Sequence, residues 1–293
     1  MKRDLLLFLP RKLQEALKKA NLNFDQLQEI RIRINNPMMI LYDNKEVIPD
    51  ENLKITSMDI RETMEYVSRH SMYAFEEDIR QGFITIEGGH RIGLAGKVVM
   101  EHGEIKTIKN ISFINIRMSH EIKGCADSII NSIAGNGKVS HTLIISPPGY
   151  GKTTLLRDIV RQISNGENGL LPSNVVVLDE RSEIAGSYNG VPQNDVGIRT
   201  DVLDCCPKDK GMLMAIRTMS PKVIAIDEIG GVKDVDAIEY AINCGCKVIA
   251  TIHGNHLEDI LSRPYINQIV QKKMFEKIIV VRQKGIYEVV KNF

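Results

Sequence analysis

Apolar and polar positions follow two rhythms along the chain, and the change from one to the other divides it. Near the start, Leu13, Ala16, Leu17 and Ala20 share one face of a helix predicted over 11–20. Residues 29–34 read Glu-Ile-Arg-Ile-Arg-Ile, the strict alternation of a half-buried strand, and 38–42 predict its neighbour across Asn35-Asn36-Pro37. Thr56 and Asp59 have the spacing of a capping box, which opens a helix running to about residue 71. Segments 82–87, 91–100 and 104–109 read as strands separated by Gly88-Gly89 and His102-Gly103. This part is predicted to be an α+β domain.

From residue 142 the alternation gives way to continuous apolar runs at 142–146, 174–178, 222–227 and 247–252. Such runs suit strands buried on both faces of a sheet, and the intervals between them are long enough for helical crossovers. The fold class is therefore α/β, a parallel sheet with right-handed connections. Two last runs, 277–281 and 286–290 around Lys284-Gly285, predict a closing β-hairpin. The small polar stretch Ala134-Gly135-Asn136-Gly137-Lys138 marks the boundary, giving domains 1–133 and 134–293. A chain of 293 residues accommodates two, since single cores rarely grow past about 250 residues.

The first core run leads into Ser146-Pro-Pro-Gly-Tyr-Gly-Lys-Thr153, and Leu155, Leu156, Ile159 and Val160 lead out at helical spacing. Strand, Gly-rich loop, Lys-Thr and amphipathic helix in that order predict a phosphate-binding loop, the Walker A motif. Glycines let several N–H groups face one phosphate, and the helix adds its positive N-terminal end. Pro148, Gly149, Tyr150, Gly151, Lys152, Thr153 and Thr154 are the expected nucleotide-binding residues, with Lys152 on the β- and γ-phosphates and Thr153 on Mg²⁺. Ser146 stands where the standard pattern has Gly, a change that AAA-type ATPases, which commonly keep Pro-Pro-Gly-x-Gly-Lys-Thr, make tolerable.

The third run ends in Asp227-Glu228, carboxylates at the carboxyl end of a buried strand, where open α/β sheets bind their ligands. Asp227 is the expected Walker B magnesium residue and Glu228 the base that deprotonates water. The plainer readings are a Gly-rich turn and an acidic cap for the next helix; they leave the ordered pairing of the two motifs unexplained. Asp179-Glu180 closes the second run and Thr251 and His253 the fourth, where a neutral donor is placed to sense the γ-phosphate, so Glu180 and His253 join the candidates.

Composition narrows the partners. A net charge of +1 supplies no global field for nucleic acid or an acidic membrane. Five cysteines, with Cys205-Cys206 adjacent and Cys244 and Cys246 one residue apart, do not form a disulfide framework and fit a reducing compartment. Zinc sites use longer spacers, so these cysteines are expected to be small buried apolar residues and His253 and His256 polar loop residues. The segment from Lys2-Arg3 to Leu9 has the look of a signal peptide, but its apolar core is short and ends at Pro10-Arg11. No run approaches the roughly 18 apolar residues of a membrane span. A cytoplasmic protein, reaching a membrane only through partners, is expected.

In order along the chain come the loop 146–154, Leu178-Asp-Glu-Arg-Ser-Glu183, Ala215-Ile-Arg-Thr-Met-Ser-Pro221, Asp227-Glu-Ile-Gly-Gly231 and Ala250-Thr-Ile-His-Gly-Asn255. With these segments the chain resembles the secretion ATPases of type II and type IV systems, and within them the stage III sporulation family of endospore-forming bacteria. The resemblance spans essentially the whole chain, including Gly89-His-Arg-Ile-Gly93 and Ile114-Asn-Ile-Arg117. It implies a RecA-like ATPase core after a smaller N-terminal domain, a hexameric ring, ATP and Mg²⁺ as ligands, and work on a membrane-embedded channel between mother cell and forespore. It also implies that Arg91 and Arg117, at the places of family arginines from the N-terminal domain, reach the nucleotide. Secretion ATPases read Gly-Glu-Ile-Arg-Asp at the second motif; here Asp227 replaces that Gly and Gly230 that Arg, restoring an acid and removing a cation.

Arg199 and Arg217 are alternative suppliers of positive charge. A different function for the same core is a nucleic-acid-processing ATPase; no Trp and 5% aromatic residues leave few stacking groups, so nucleic acid is not expected as a partner. No Asn-Lys-x-Asp motif supports a GTPase, and the Asp227-Glu228 pair speaks against a scaffold that binds ATP without turnover.

Overall fold

The computed structural model describes residues 4–69 and 75–290. They fall into two compact units, Met1–His120 and Glu121–Phe293.

In the first unit a 3-10 turn, Asp4–Phe8, precedes α1 (Arg11–Lys19), with Leu13, Ala16 and Leu17 buried on the predicted face. Lys2 and Arg3 lie outside the described residues. Then follow β1 (Leu27–Arg33), β2 (Met39–Tyr42), β3 (Lys45–Val47), α2 (Ser57–Val67), α3 (Glu76–Gln81), β4 (Phe83–Ile86), β5 (His90–Glu101) and β6 (Glu104–Arg117). Thr56 and Asp59 make the expected reciprocal capping bonds. That helix ends at Val67 with Ser68 as its C-cap, a turn short of the predicted end near residue 71, because Arg69 turns into left-handed backbone. All strand pairs are antiparallel, in the order β3-β2-β1-β6-β5-β4. One sheet face carries Ile30, Ile32, Ile84, Ile92, Ile114 and Ile116 into a core shared with α1 and α2. Alternation puts Arg31, Arg33, Arg91 and Arg117 on the other. Beyond the Ile34 N–H that donates to the Ser112 carbonyl, β5 and β6 continue paired with each other as a two-stranded ribbon.

The second unit holds α4 (Ile130–Ile133), β7 (Thr142–Ser146), α5 (Lys152–Asn165), β8 (Val175–Asp179), β9 (Thr200–Asp204), α6 (Lys208–Thr218), β10 (Val223–Ile226), α7 (Val232–Asn243), β11 (Lys247–His253), α8 (Leu257–Leu261), α9 (Pro264–Gln271), β12 (Lys277–Gln283) and β13 (Ile286–Val290). The order is β13-β12-β7-β11-β10-β8-β9, parallel throughout except for the edge pair β12–β13. Successive residues of each central strand enter opposite cores. Ile224 and Ile226 pack towards α6 and α7, whereas Val223 and Ala225 face the α4 and α5 side. The four apolar runs are therefore central strands, and the tail hairpin extends the same sheet through β12.

Two corrections concern boundaries and burial. Residues 121–133 group with the second unit, ahead of the polar stretch taken as the boundary. Ala126, Ile129, Ile130 and Ile133 pack on Leu155, Leu156 and Ile159 of α5, and the Ala126 N–H donates to Asp158. Of the cysteines expected to be buried, only Cys246 is; Cys205 and Cys244 are exposed.

Candidate active site

Parallel strands deliver their carboxyl ends to one edge of the sheet, where β7, β8 and β11 end in polar residues and β10 ends at Ile226, directly before Asp227. Gly149 (φ 79°) and Gly151 (φ 88°) take left-handed backbone, and a Cβ at either would meet nothing within 4 Å. The loop thus opens a cradle before α5 begins at Lys152. Pro148, Gly149 and Tyr150 are exposed and Gly151, Thr153 and Thr154 half-buried, whereas Lys152 is only 7% exposed. Ser146 fits in place of Gly because its hydroxyl, wholly buried, donates to the carbonyl of Pro147 at 3.0 Å.

Asp227, just after β10, joins three elements. One oxygen lies 3.1 Å from Lys152 Nζ and accepts from Thr251 Oγ1 of β11 at 2.6 Å; the other accepts from Thr153 Oγ1 at 2.8 Å. Burial acts to raise its pKa, but the Lys152 charge and the hydroxyl bonds outweigh it and hold the carboxyl below the usual aspartate range. A threonine hydroxyl beside an ionised carboxylate suits Mg²⁺, which takes few protein oxygens and completes its shell with water and phosphate. The open glycine cradle and adjoining lysine likewise fit a nucleotide polyphosphate.

Glu228 stands in left-handed backbone (φ 60°), an uncommon state for a residue with a side chain. Its N–H donates to Thr251 Oγ1 at 2.8 Å, which fixes the turn. Its Oε2 lies 3.5 Å from His253 Nε2, 3.5 Å from Arg181 and 4.0 Å from Lys152. Lys152, Thr153, Asp227, Glu228 and His253 therefore converge. Glu180 is on the same edge, paired closely with Lys208.

Next to Glu228 is a cleft of about 230 Å³, lined among others by Glu180, Arg181, Lys208 and Gly230. The turn that forms one wall is tied down from both sides. Asp179, buried at the end of β8, accepts the N–H groups of Glu183, Ile184 and Ala185 at 2.8, 3.0 and 2.8 Å. Arg157 of α5 donates to the carbonyls of Glu183 and Ile184. Burial pushes the Asp179 carboxyl up to about 6 against those three bonds, and nearby Asp204 adds to the rise.

Residues 1–292 match the family described as Sporulation stage III, protein AA. The chain belongs to that family. It is 39% identical over 279 residues to Stage III sporulation protein AA of Bacillus subtilis (strain 168), covering 94% of this chain and 90% of the relative. The fold is that of the RecA-like secretion ATPases. The Legionella pneumophila ATPase DotB superposes with a TM-score of 0.62 at 15% identity, over 93% of this chain and 76% of the other. The pilus retraction motor PilT, solved with bound ADP, gives 0.61 at 15% identity, over 96% and 82%.

In this family member Arg91 and Arg117 belong to the first unit, where they are direct partners across β5 and β6, and the Arg91 guanidinium lies 3.6 Å over the Phe83 ring. Three residues around the site escaped sequence reasoning. Lys208 and Arg157 sit in helices with no motif to mark them. Arg181 directly follows Asp179-Glu180 in a segment already singled out, and its place in that run was the available signal. Among the described residues no helix is long and apolar enough to cross a membrane.

Proposed function

We propose that this chain hydrolyses ATP and, as a ring of six copies in the cytoplasm, drives assembly of, or transport through, a membrane-embedded channel complex of sporulation. The observation that carries the reading is the cluster of Lys152, Thr153 and Asp227 beside a loop whose glycines leave room for phosphates. The names of DotB, an ATPase, and PilT, a motor, add the enzyme class, and the sporulation family adds the setting.

Lys152 attracts the β- and γ-phosphates, and Thr153 and Asp227 hold Mg²⁺, which neutralises charge on the phosphate oxygens when bound. Glu228 positions a water and takes its proton as the water oxygen bonds to the γ-phosphorus and the bond to the β-phosphate oxygen breaks, leaving ADP and phosphate. Glu180 and His253 shape the polar wall around that water. Arg91 and Arg117 supply positive charge to the site of a neighbouring copy.

Lys152→Ala tests the nucleotide reading. It removes the one cation that the loop provides, so ATP binding and turnover should both fall to background in a titration calorimeter and a phosphate-release assay. Turnover at the parent rate would reject the site.

A further inference from the structure

Three cationic or potentially cationic groups meet on a single oxygen. The contact to Glu228 is through Oε2 in each case, with Arg181 at 3.5 Å, His253 at 3.5 Å and Lys152 at 4.0 Å. Such crowding on one side of a carboxylate is the arrangement that an anion with several oxygens would occupy more fully. Lys152 and Arg181, bridged by one atom, are close enough for one phosphate group to touch both.

We propose that Arg181 is a γ-phosphate ligand supplied from within the same chain, and that the Glu228 carboxylate holds its guanidinium until the nucleotide arrives. The proposal rests on the ATP-hydrolysing reading of this site. On binding, phosphate oxygens replace the carboxylate on the guanidinium, and the released Glu228 turns to its water. A planar guanidinium offers a fork of donors suited to that exchange.

Backbone and side chain of Arg181 suit the task in different ways. Its turn is fixed by Asp179 and Arg157. Its side chain is 65% exposed and can swing without unpacking anything. The other cation on this wall, Lys208, is committed to Glu180. At Gly230 there is no side chain to contribute charge, and its N–H is taken by Asp234 at 2.7 Å. Arg181 is thus the cation of the cleft that can leave its carboxylate for a phosphate.

A ligand of the γ-phosphate separates ATP from ADP, and equilibrium binding reads that directly. Fluorescent ADP and a non-hydrolysable ATP analogue, each with Mg²⁺, are titrated into the full chain and its variants. Arg181→Ala should weaken the analogue roughly tenfold or more, as loss of a charge-assisted hydrogen bond does, and leave ADP almost unchanged. Arg181→Lys should recover part of the loss. Glu228→Gln, which removes the competing charge, should tighten the analogue, and Arg181→Ala in the same chain should cancel that gain. Equal weakening of both nucleotides, no weakening of either, or a Glu228→Gln gain that survives Arg181→Ala would overturn the proposal. Lys152→Ala separates the two levels: if that variant binds both nucleotides as the parent does, the nucleotide site itself is misplaced, whatever Arg181 does.

Discussion

At the scale of single residues, the site divides its two carboxylates by what surrounds them. Asp227 is enclosed by Lys152 and two threonine hydroxyls, a setting that keeps it ionised and still. Glu228 is a third exposed along its side chain and held by longer contacts, a setting that lets it move. Glu228→Gln should therefore bind ATP and Mg²⁺ but lose turnover by two orders of magnitude or more, roughly the contribution of a positioned general base. Single-turnover hydrolysis measured beside nucleotide binding checks this; retained turnover with an inactive Glu180→Gln would move the base to the end of β8. Both carboxylates were legible in the sequence because an apolar run stops abruptly at Asp227-Glu228. Arg181 was not, because only the turn after β8 and the left-handed backbone of Glu228 bring the two side chains together.

At the scale of elements, legibility followed burial. The four central strands have apolar residues facing both cores, and each was readable as a continuous run. β9, with the sequence Thr-Asp-Val-Leu-Asp at the sheet edge, is polar enough to pass for a loop. The segment 110–117 hid the end of β6 for another reason, since Asn110 and Asn115 interrupt its apolar pattern. β8 and β9 place Asp179 directly beside Asp204, and that pairing has a measurable outcome. Burial raises the Asp179 carboxyl to about 6 in the folded chain, whereas an unfolded aspartate titrates near 3.9. The folded state then binds the additional proton between these values, so this residue's contribution is fully present below about pH 4 and is lost as pH rises through about 6. Between pH 5 and pH 7 it should remove roughly 1 kcal/mol of stability. Urea unfolding of the parent and of Asp179→Asn at both pH values gives the comparison. The asparagine variant should show the smaller loss, whatever its starting stability, and equal losses would show that Asp179 does not titrate there.

At the scale of the whole molecule, the proposed ring predicts cooperation between copies. Arg91 and Arg117 are in one unit and Lys152 and Glu228 in the other. If arginines of one copy serve the nucleotide of the next, activity per chain should rise with protein concentration. Arg91→Ala and Arg117→Ala should then lower turnover far more than ATP binding. Mixing either with Lys152→Ala protein should restore part of the activity, since an interface can form that pairs the intact loop of one copy with the intact arginines of another. Concentration-independent turnover with no recovery on mixing would make both arginines structural.

The enclosure of Lys152 has a consequence for how the chain responds to its medium. Its ammonium already has Asp227 beside it, so an incoming nucleotide trades one anion for another and does not neutralise bare positive surface. Enclosure also keeps dissolved ions from screening either the old pairing or the new one to any large extent. Nucleotide affinity at this site should consequently be nearly indifferent to ionic strength, unlike the steep decline met where a polyanion lands on open cationic ground.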